Sequence, residues 1–164
     1  MAQVATSYRL IPVSVLAHNG GGWNEGDQTQ NARTLNAFIQ DELLPKYNID
    51  KRRIFFSGQS SGGGFLSSHF IALHGANYQG GAFCLCGMQP PQRFTATEAM
   101  KTGFKVHFEI TTGDGIWTSS FQPSVQAYQN AGLTVTSDST KRGGHCQFDQ
   151  AQVIEQRIGA MLTP

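Results

Sequence analysis

Three polar residues fall in an order that suits acyl transfer: Ser60, Asp114 and His145. A serine hydroxyl is a weak nucleophile until a base takes its proton. Imidazole does this well near neutral pH, and a carboxylate on its other ring nitrogen fixes the tautomer and steadies the imidazolium. The order serine, acid, histidine is one of three in which this constellation is familiar. Ser60 is the centre of Gly58-Gln59-Ser60-Ser61-Gly62. Such a turn holds its serine in a strained backbone conformation between a strand and a helix, with small neighbours that let the two elements pass closely. The N–H of Ser61 then opens a helix, where it can stabilise negative charge on a substrate oxygen.

Blander readings compete at each position. With 19 Gly in the chain, the five-letter pattern also arises as a turn without chemistry, so its context decides. Asp114 between glycines also reads as a turn residue, and Gly143-Gly144-His145 as a surface loop. Asp138 and Asp149 are alternative acids, less well placed. His107 lies inside a strand and reads as core or lining, while His69 and His74 read as structural helix positions. A metal needs three or four convergent ligands. His145-Cys146 supplies two, so neither metal nor cofactor is expected.

The elements that must position these residues alternate along the chain. Residues 8–17 read as a strand running into His18-Asn19-Gly20-Gly21-Gly22-Trp23, a glycine-rich loop. Residues 24–30 read as polar loop. Residues 34–44 form an amphipathic helix with Leu35, Phe38, Ile39 and Leu43 on one face. Ile54-Phe55-Phe56 begins a buried strand, and Phe65, Phe70 and Leu73 pattern the helix after the turn. Further strands are expected at 81–87, 105–111 and 133–137, with helices around 95–101, from 119 or 120 to 128, and at 149–161. The fold class is therefore α/β: a three-layer α/β/α sandwich with about five mostly parallel strands. In open parallel sheets functional groups gather at the carboxyl ends of strands. Ser60, Asp114 and His145 each follow a predicted strand.

Composition narrows the rest. The 164 residues carry a net charge of +1 with 14% charged side chains. A single domain over 1–164 is expected. There is no basic patch with interleaved aromatics, so no nucleic-acid partner is expected. No stretch approaches the ~20 apolar residues of a membrane span. The N-terminus makes a poor signal peptide, and the compartment stays open. Cys84, Cys86 and Cys146 are an odd count. Cys84 and Cys86 alternate on one expected strand, facing the same side as small buried hydrophobes. A disulfide to Cys146 does not follow from the spacing.

Several segments together resemble a known family. They are Tyr47-Asn48-Ile49-Asp50, Arg53-Ile54, Gly58 to Gly63, Gly81-Ala82-Phe83, Gly113-Asp114 and Gly144-His145. The chain is similar, from residue 10 to residue 162, to the C-terminal two-thirds of an α/β-hydrolase of the polyhydroxybutyrate depolymerase and feruloyl esterase group. The resemblance implies Ser60 as nucleophile, His145 as base, Asp114 as orienting acid, and ester hydrolysis through an acyl-enzyme. It implies no cofactor. A small or polymeric ester would be the substrate.

Two departures from that family stand out. The fold usually has three more strands ahead of the one expected at 8–17, and the loop after the third supplies the second oxyanion donor. The chain is then a fragment, a shortened hydrolase, or one part of an assembly in which a second copy or second chain covers the exposed sheet edge. Residues 18–23 also resemble the His-Gly-Gly-Gly oxyanion loop of lipases and esterases, one strand-helix unit nearer the serine than usual. This loop is expected to line the mouth of the site, with Gly21 or Gly22 as an alternative reading, a substitute oxyanion donor. Gln59, Trp23 and Trp117, with Phe121, are expected to line the substrate site. Two rival readings remain: an inactive truncated hydrolase serving as a binding module or subunit, and a thioesterase or peptidase on the same three residues.

Overall fold

Short extended runs, apolar in all but the last, form four strands in this computed structural model, which describes residues 2–17 and 22–162. They are β1 (Ile54–Gln59), β2 (Gly80–Leu85), β3 (Phe104–Glu109) and β4 (Thr134–Asp138). The strands lie in chain order, and every neighbouring pair is parallel. Each connection must then cross a face of the sheet, and helices make those crossings.

Alternation along the strands divides the core. Phe56, Ala82, Cys84, Val106 and Phe108 belong to one face, and Phe55, Phe83 and Leu85 to the other. Four helices cover the first face. Helix α2 (Gln28–Ala37) runs on through a π-type turn, Phe38–Leu43, to Lys46. Helix α3 (Ser61–Phe65) likewise continues through Leu66–Phe70 to His74. The other two are α4 (Glu98–Gly103) and α5 (Thr118–Asn130). On the second face Val4 of α1 (Ala2–Ser7) and Val153, Ile154, Ile158 and Met161 of α6 (Gln150–Leu162) pack against Phe83 and Leu85. This is the three-layer sandwich expected from the alternation of elements. No helix among the described residues is long and apolar enough to cross a membrane.

The sequence misleads at three places. Residues 8–17 are not a strand; the chain there is irregular after α1. Their apolar alternation has no ladder to join, and Pro12 removes a donor. Ile11, Val13 and Leu16 are 64%, 49% and 87% exposed. The segment is held instead by the Leu10 amide on the Ala5 carbonyl (2.7 Å) and by Arg53 Nη2 on the Tyr8 carbonyl (2.6 Å). Among the described residues the sheet therefore has four strands, and β1, which leads to Ser60, lies at its edge. Helix α2 begins at Gln28, earlier than the pattern suggests, because the Asp27 carboxylate accepts the Gln30 amide and caps it. Finally, β2 ends at Leu85, so Cys86 does not share a strand face with Cys84. Cys86 turns at φ 45° and is bonded to Cys146.

Three glycines let α3 cross close to the sheet. A Cβ on Gly58 would fall 2.4 Å from the Gly62 carbonyl, one on Gly63 2.3 Å from the Gly87 oxygen, and one on Gly87 1.8 Å from the Ser60 oxygen. Gly62, the last letter of the turn pattern, has room: its nearest neighbour would be Trp23 Cδ1 at 3.7 Å. Gly63→Ala should therefore destabilise the protein by about 1–3 kcal/mol in chemical denaturation. Gly115→Ala, with nothing within 4 Å, should stay within about 0.5 kcal/mol of the parent. Equal stability of the two variants would contradict the close crossing.

Candidate active site

The site begins with the turn at the end of β1. Ser60 has φ 50° and ψ −115°, a left-handed backbone that only an over-determined surrounding maintains in a non-glycine residue. Its amide donates to the Leu85 carbonyl at 2.9 Å, and its carbonyl accepts the Gly64 amide at 3.0 Å. Helix α3 starts at the next residue, so the Ser61 amide belongs to the first turn, which has no acceptor within the helix.

Two loops bring the partners. Ser60 Oγ lies 2.9 Å from His145 Nε2, and His145 Nδ1 lies 2.9 Å from Asp114 Oδ2. The other carboxylate oxygen of Asp114 accepts the Ile116 and Trp117 amides at 3.0 and 3.1 Å. Asp114 is 1% exposed. Burial pushes its pKa up, but the His145 ring and the two amides outweigh this and hold it below the usual carboxylate value. The ionised carboxylate can only accept. His145 Nδ1–H therefore donates to it, and Nε2 is left to accept from the Ser60 hydroxyl. The Asp114 turn follows β3, and His145 sits in the loop between β4 and α6.

That loop is fastened to the end of β3. The Thr112 amide donates to the Lys141 carbonyl (2.8 Å), the Gly113 amide to the Gly143 carbonyl (3.0 Å), and the Thr111 hydroxyl to the Gly144 carbonyl (2.8 Å). Lys141 Nζ pairs with Glu109 Oε1 and, at 3.0 Å, with Asp138 Oδ2. Glu109 is fully buried, and its second oxygen accepts His107 Nε2–H at 2.8 Å. His107 Nδ1 accepts the Thr136 hydroxyl at 2.8 Å, so this histidine is spent inside the fold, as its strand position suggested. Burial works against the Lys141 charge, but Glu109 and Asp138 together raise its pKa. The Cys86–Cys146 disulfide adds a covalent tether one residue beyond His145. Sequence reasoning missed Glu109 and Lys141. The only signal was a histidine and a glutamate two apart in an apolar strand, which puts both on one face.

The remaining expected residues divide. Gly21 and His18 lie outside the described residues. Gly22 is packed on the turn that carries Ser60: a Cβ there would be 3.3 Å from Ser61 Oγ. Trp23 stacks on Phe65 with centroids 4.9 Å apart, beside Gly62. Trp117 lies along Gly64, where a Cβ would meet the ring at 2.9 Å. Gln59 is exposed at the end of β1, and Phe121 is buried in the core. An apolar groove lined by Val15, Leu16, Leu35 and Phe38 runs beside Trp23. The alternative acids are engaged elsewhere. Asp149 accepts the Gln152 amide at the start of α6, and Asp138 holds Thr140 and Lys141. Ser60, His145 and Asp114 thus meet at one rim of the sheet, an arrangement able to activate a hydroxyl for attack on a carbonyl.

The fold is a three-layer α/β sandwich built on a parallel sheet. Several solved esterases share it. The Bacillus cereus carboxylesterase is similar with a TM-score of 0.66 and 22% identity, over 82% of this chain and 62% of that one. A carboxylesterase from Mesorhizobium loti gives 0.71 and 19%, over 91% and 71%. A phospholipase/carboxylesterase from Dyadobacter fermentans gives 0.64 and 16%, over 82% and 65%. The chain thus spans 62% of the length of the Bacillus cereus enzyme. No protein-family model matches the chain, and no curated protein matches it.

Acid should loosen this rim. The Thr140 hydroxyl and amide, with Lys141, hold Asp138 well below the ordinary carboxylate value, and Asp114 is lowered as well. A carboxylate with a depressed folded pKa contributes stability that is complete above its unfolded value, about 3.9, and is lost as pH falls through the folded one. Thermal unfolding followed from pH 6 downward should show stability falling below about pH 4. Asp138→Asn should make that fall shallower. An identical slope in the variant would contradict the assignment.

Proposed function

We propose that this chain hydrolyses carboxylic esters through an acyl-enzyme, with Ser60 as nucleophile, His145 as general base and then acid, and Asp114 as the orienting acid. The observation that carries the proposal is the unbroken relay from Ser60 Oγ through His145 to Asp114, with 2.9 Å at each link. Attack by Ser60 Oγ on the ester carbonyl passes its proton to His145 Nε2. The resulting imidazolium lies against ionised Asp114. The tetrahedral oxyanion forms at the start of α3, where the Ser61 amide donates to it. Gly22, packed on Ser61, is the candidate for the second donor. The alcohol leaves with the proton from Nε2, and water then takes the place of Ser60 to release the acid.

The shared fold of the carboxylesterases supports this reading. Trp23 and Trp117 lie along the first turns of α3 and suit an apolar or aromatic substrate part, with Gln59 at the rim. The residues that resemble the polyhydroxybutyrate depolymerase and feruloyl esterase group point to hydroxyalkanoate or aromatic acyl esters, small or polymeric. One observation favours a second reading, an inactive hydrolase acting as a binding subunit. The outer side of β1 pairs with no strand among the described residues, which suits cover by a second copy or another chain.

Fluorophosphonate labelling separates the two. The parent protein should label at Ser60, and Ser60→Ala should not. Hydrolysis of nitrophenyl esters should fall at least about a thousandfold in Ser60→Ala and His145→Gln, and by about ten-thousandfold in Asp114→Asn. Thioesters and peptides in the same assay rank the related chemistries on these residues. A parent protein that neither labels nor hydrolyses any of them would leave the binding reading in place of the esterase.

A further inference from the structure

Two cysteines that ester hydrolysis does not use stand next to His145 of the relay. The ligand atoms of Cys86, His145 and Cys146 all lie within 4.8 Å of one another. Cys146 Sγ is 3.5 Å from His145 Nε2. Two thiolates and an imidazole are a familiar donor set for tetrahedral zinc. Zn–S bonds near 2.3 Å and Zn–N bonds near 2.0–2.1 Å put sulfur and nitrogen about 3.5 Å apart at the tetrahedral angle. His145 also carries the support that zinc-binding histidines have, its Nδ1–H donating to the Asp114 carboxylate at 2.9 Å. The backbone fixes both cysteines independently of their sulfurs. The Cys86 amide donates to the Glu109 carbonyl at 2.8 Å, and the Cys146 carbonyl accepts the Phe148 amide at 3.0 Å. While Cys86 and Cys146 are bonded to each other, neither sulfur is a thiolate, and the set cannot hold a metal.

We propose that reduction of the Cys86–Cys146 disulfide opens a zinc site made of Cys86 Sγ, Cys146 Sγ and His145 Nε2, and that the bound metal blocks the base. A water-soluble trialkylphosphine supplies two electrons to the disulfide. It leaves as its oxide, with water giving the oxygen and the two thiol protons. Each thiol then releases its proton as zinc binds, and the Nε2 lone pair passes from the Ser60 hydroxyl to the metal. Ser60 Oγ, 2.9 Å from Nε2, or a water takes the fourth position. With Nε2 coordinated, no base remains for Ser60. The disulfide thus keeps the site blind to metal, and its loss makes the site metal-sensitive. Cys84 stays outside this chemistry, buried in the core with its thiol pKa pushed up by burial. The metal binding stands on the three ligands alone; the block of activity rests on the esterase reading.

The test is a zinc titration of the phosphine-reduced, desalted protein against a chromogenic chelator, read without substrate. The reduced parent should take up one equivalent and the oxidised parent none. Cobalt in place of zinc should give a thiolate charge-transfer band. Cys86→Ser and Cys146→Ser should lose the tight site. Asp114→Asn should weaken it by about ten- to a hundredfold through the loss of histidine support. Loose thiols on an unfolded chain would not sense that change. Zinc should then suppress ester hydrolysis by the reduced protein, and a chelator should restore it. Uptake by the reduced parent no greater than by the oxidised one, or equal affinity in Asp114→Asn, would overturn the site. Zinc bound at one equivalent with hydrolysis undiminished would overturn the block.

Discussion

The fastening of the His145 loop to the end of β3 is the constraint on which the site depends. His145 and Ser60 are 85 positions apart, and nothing local forces them together. Geometry at the relay tolerates little error, because a shift of about 1 Å can cost about a hundredfold in rate. Three hydrogen bonds, each worth about 0.5–1.5 kcal/mol net, pin the loop's backbone. The Lys141–Glu109 pair adds a charged link. Lys141 is itself partly exposed, but removing it would leave a carboxylate charge buried behind it, and an uncompensated buried charge is costly. Glu109, fully buried between His107 and Lys141, is such a charge. The ion pair therefore fixes where the loop sits, and the hydrogen bonds fix its local path.

The turn around Ser60 obeys the same economy. Its strained backbone persists because β2 and α3 enclose it, with Gly87 nearly touching the Ser60 carbonyl and Gly63 meeting Gly87. Strain, close crossing and the first-turn amide of Ser61 arise from one arrangement. A side chain at either glycine would press directly on the backbone that aims the hydroxyl.

Much of this was legible in the sequence. The segment around Ser60 reads as strand, turn and helix because short apolar runs, glycines and helical periodicity are local signals. The strand ends at Ser60, Asp114 and His145 follow from the same signals, and so does the layered α/β class. What escaped depends on residues that meet only in space. Residues 8–17 alternate like a strand, but a strand needs a neighbour, and among the described residues β1 pairs only with β2. The pairing of Cys86 with Cys146, and not Cys84, is decided by where β2 stops. Glu109 and Lys141 share no spacing rule, and the tight crossings at Gly63 and Gly87 involve two separate elements. The early start of α2 rests on a single capping carboxylate.

The chain spans 62% of the Bacillus cereus carboxylesterase, yet all three residues of the relay lie within it. The most direct test of the proposed joint action is to look for the acyl-enzyme it requires. The protein is mixed with an activated ester, quenched in acid within its turnover time, digested, and examined by mass spectrometry. An acyl group on the peptide carrying Ser60, absent when His145 is replaced by glutamine, is the expected result. An acyl group found elsewhere, or ester hydrolysis without any acylated peptide, would contradict the relay as the seat of the chemistry.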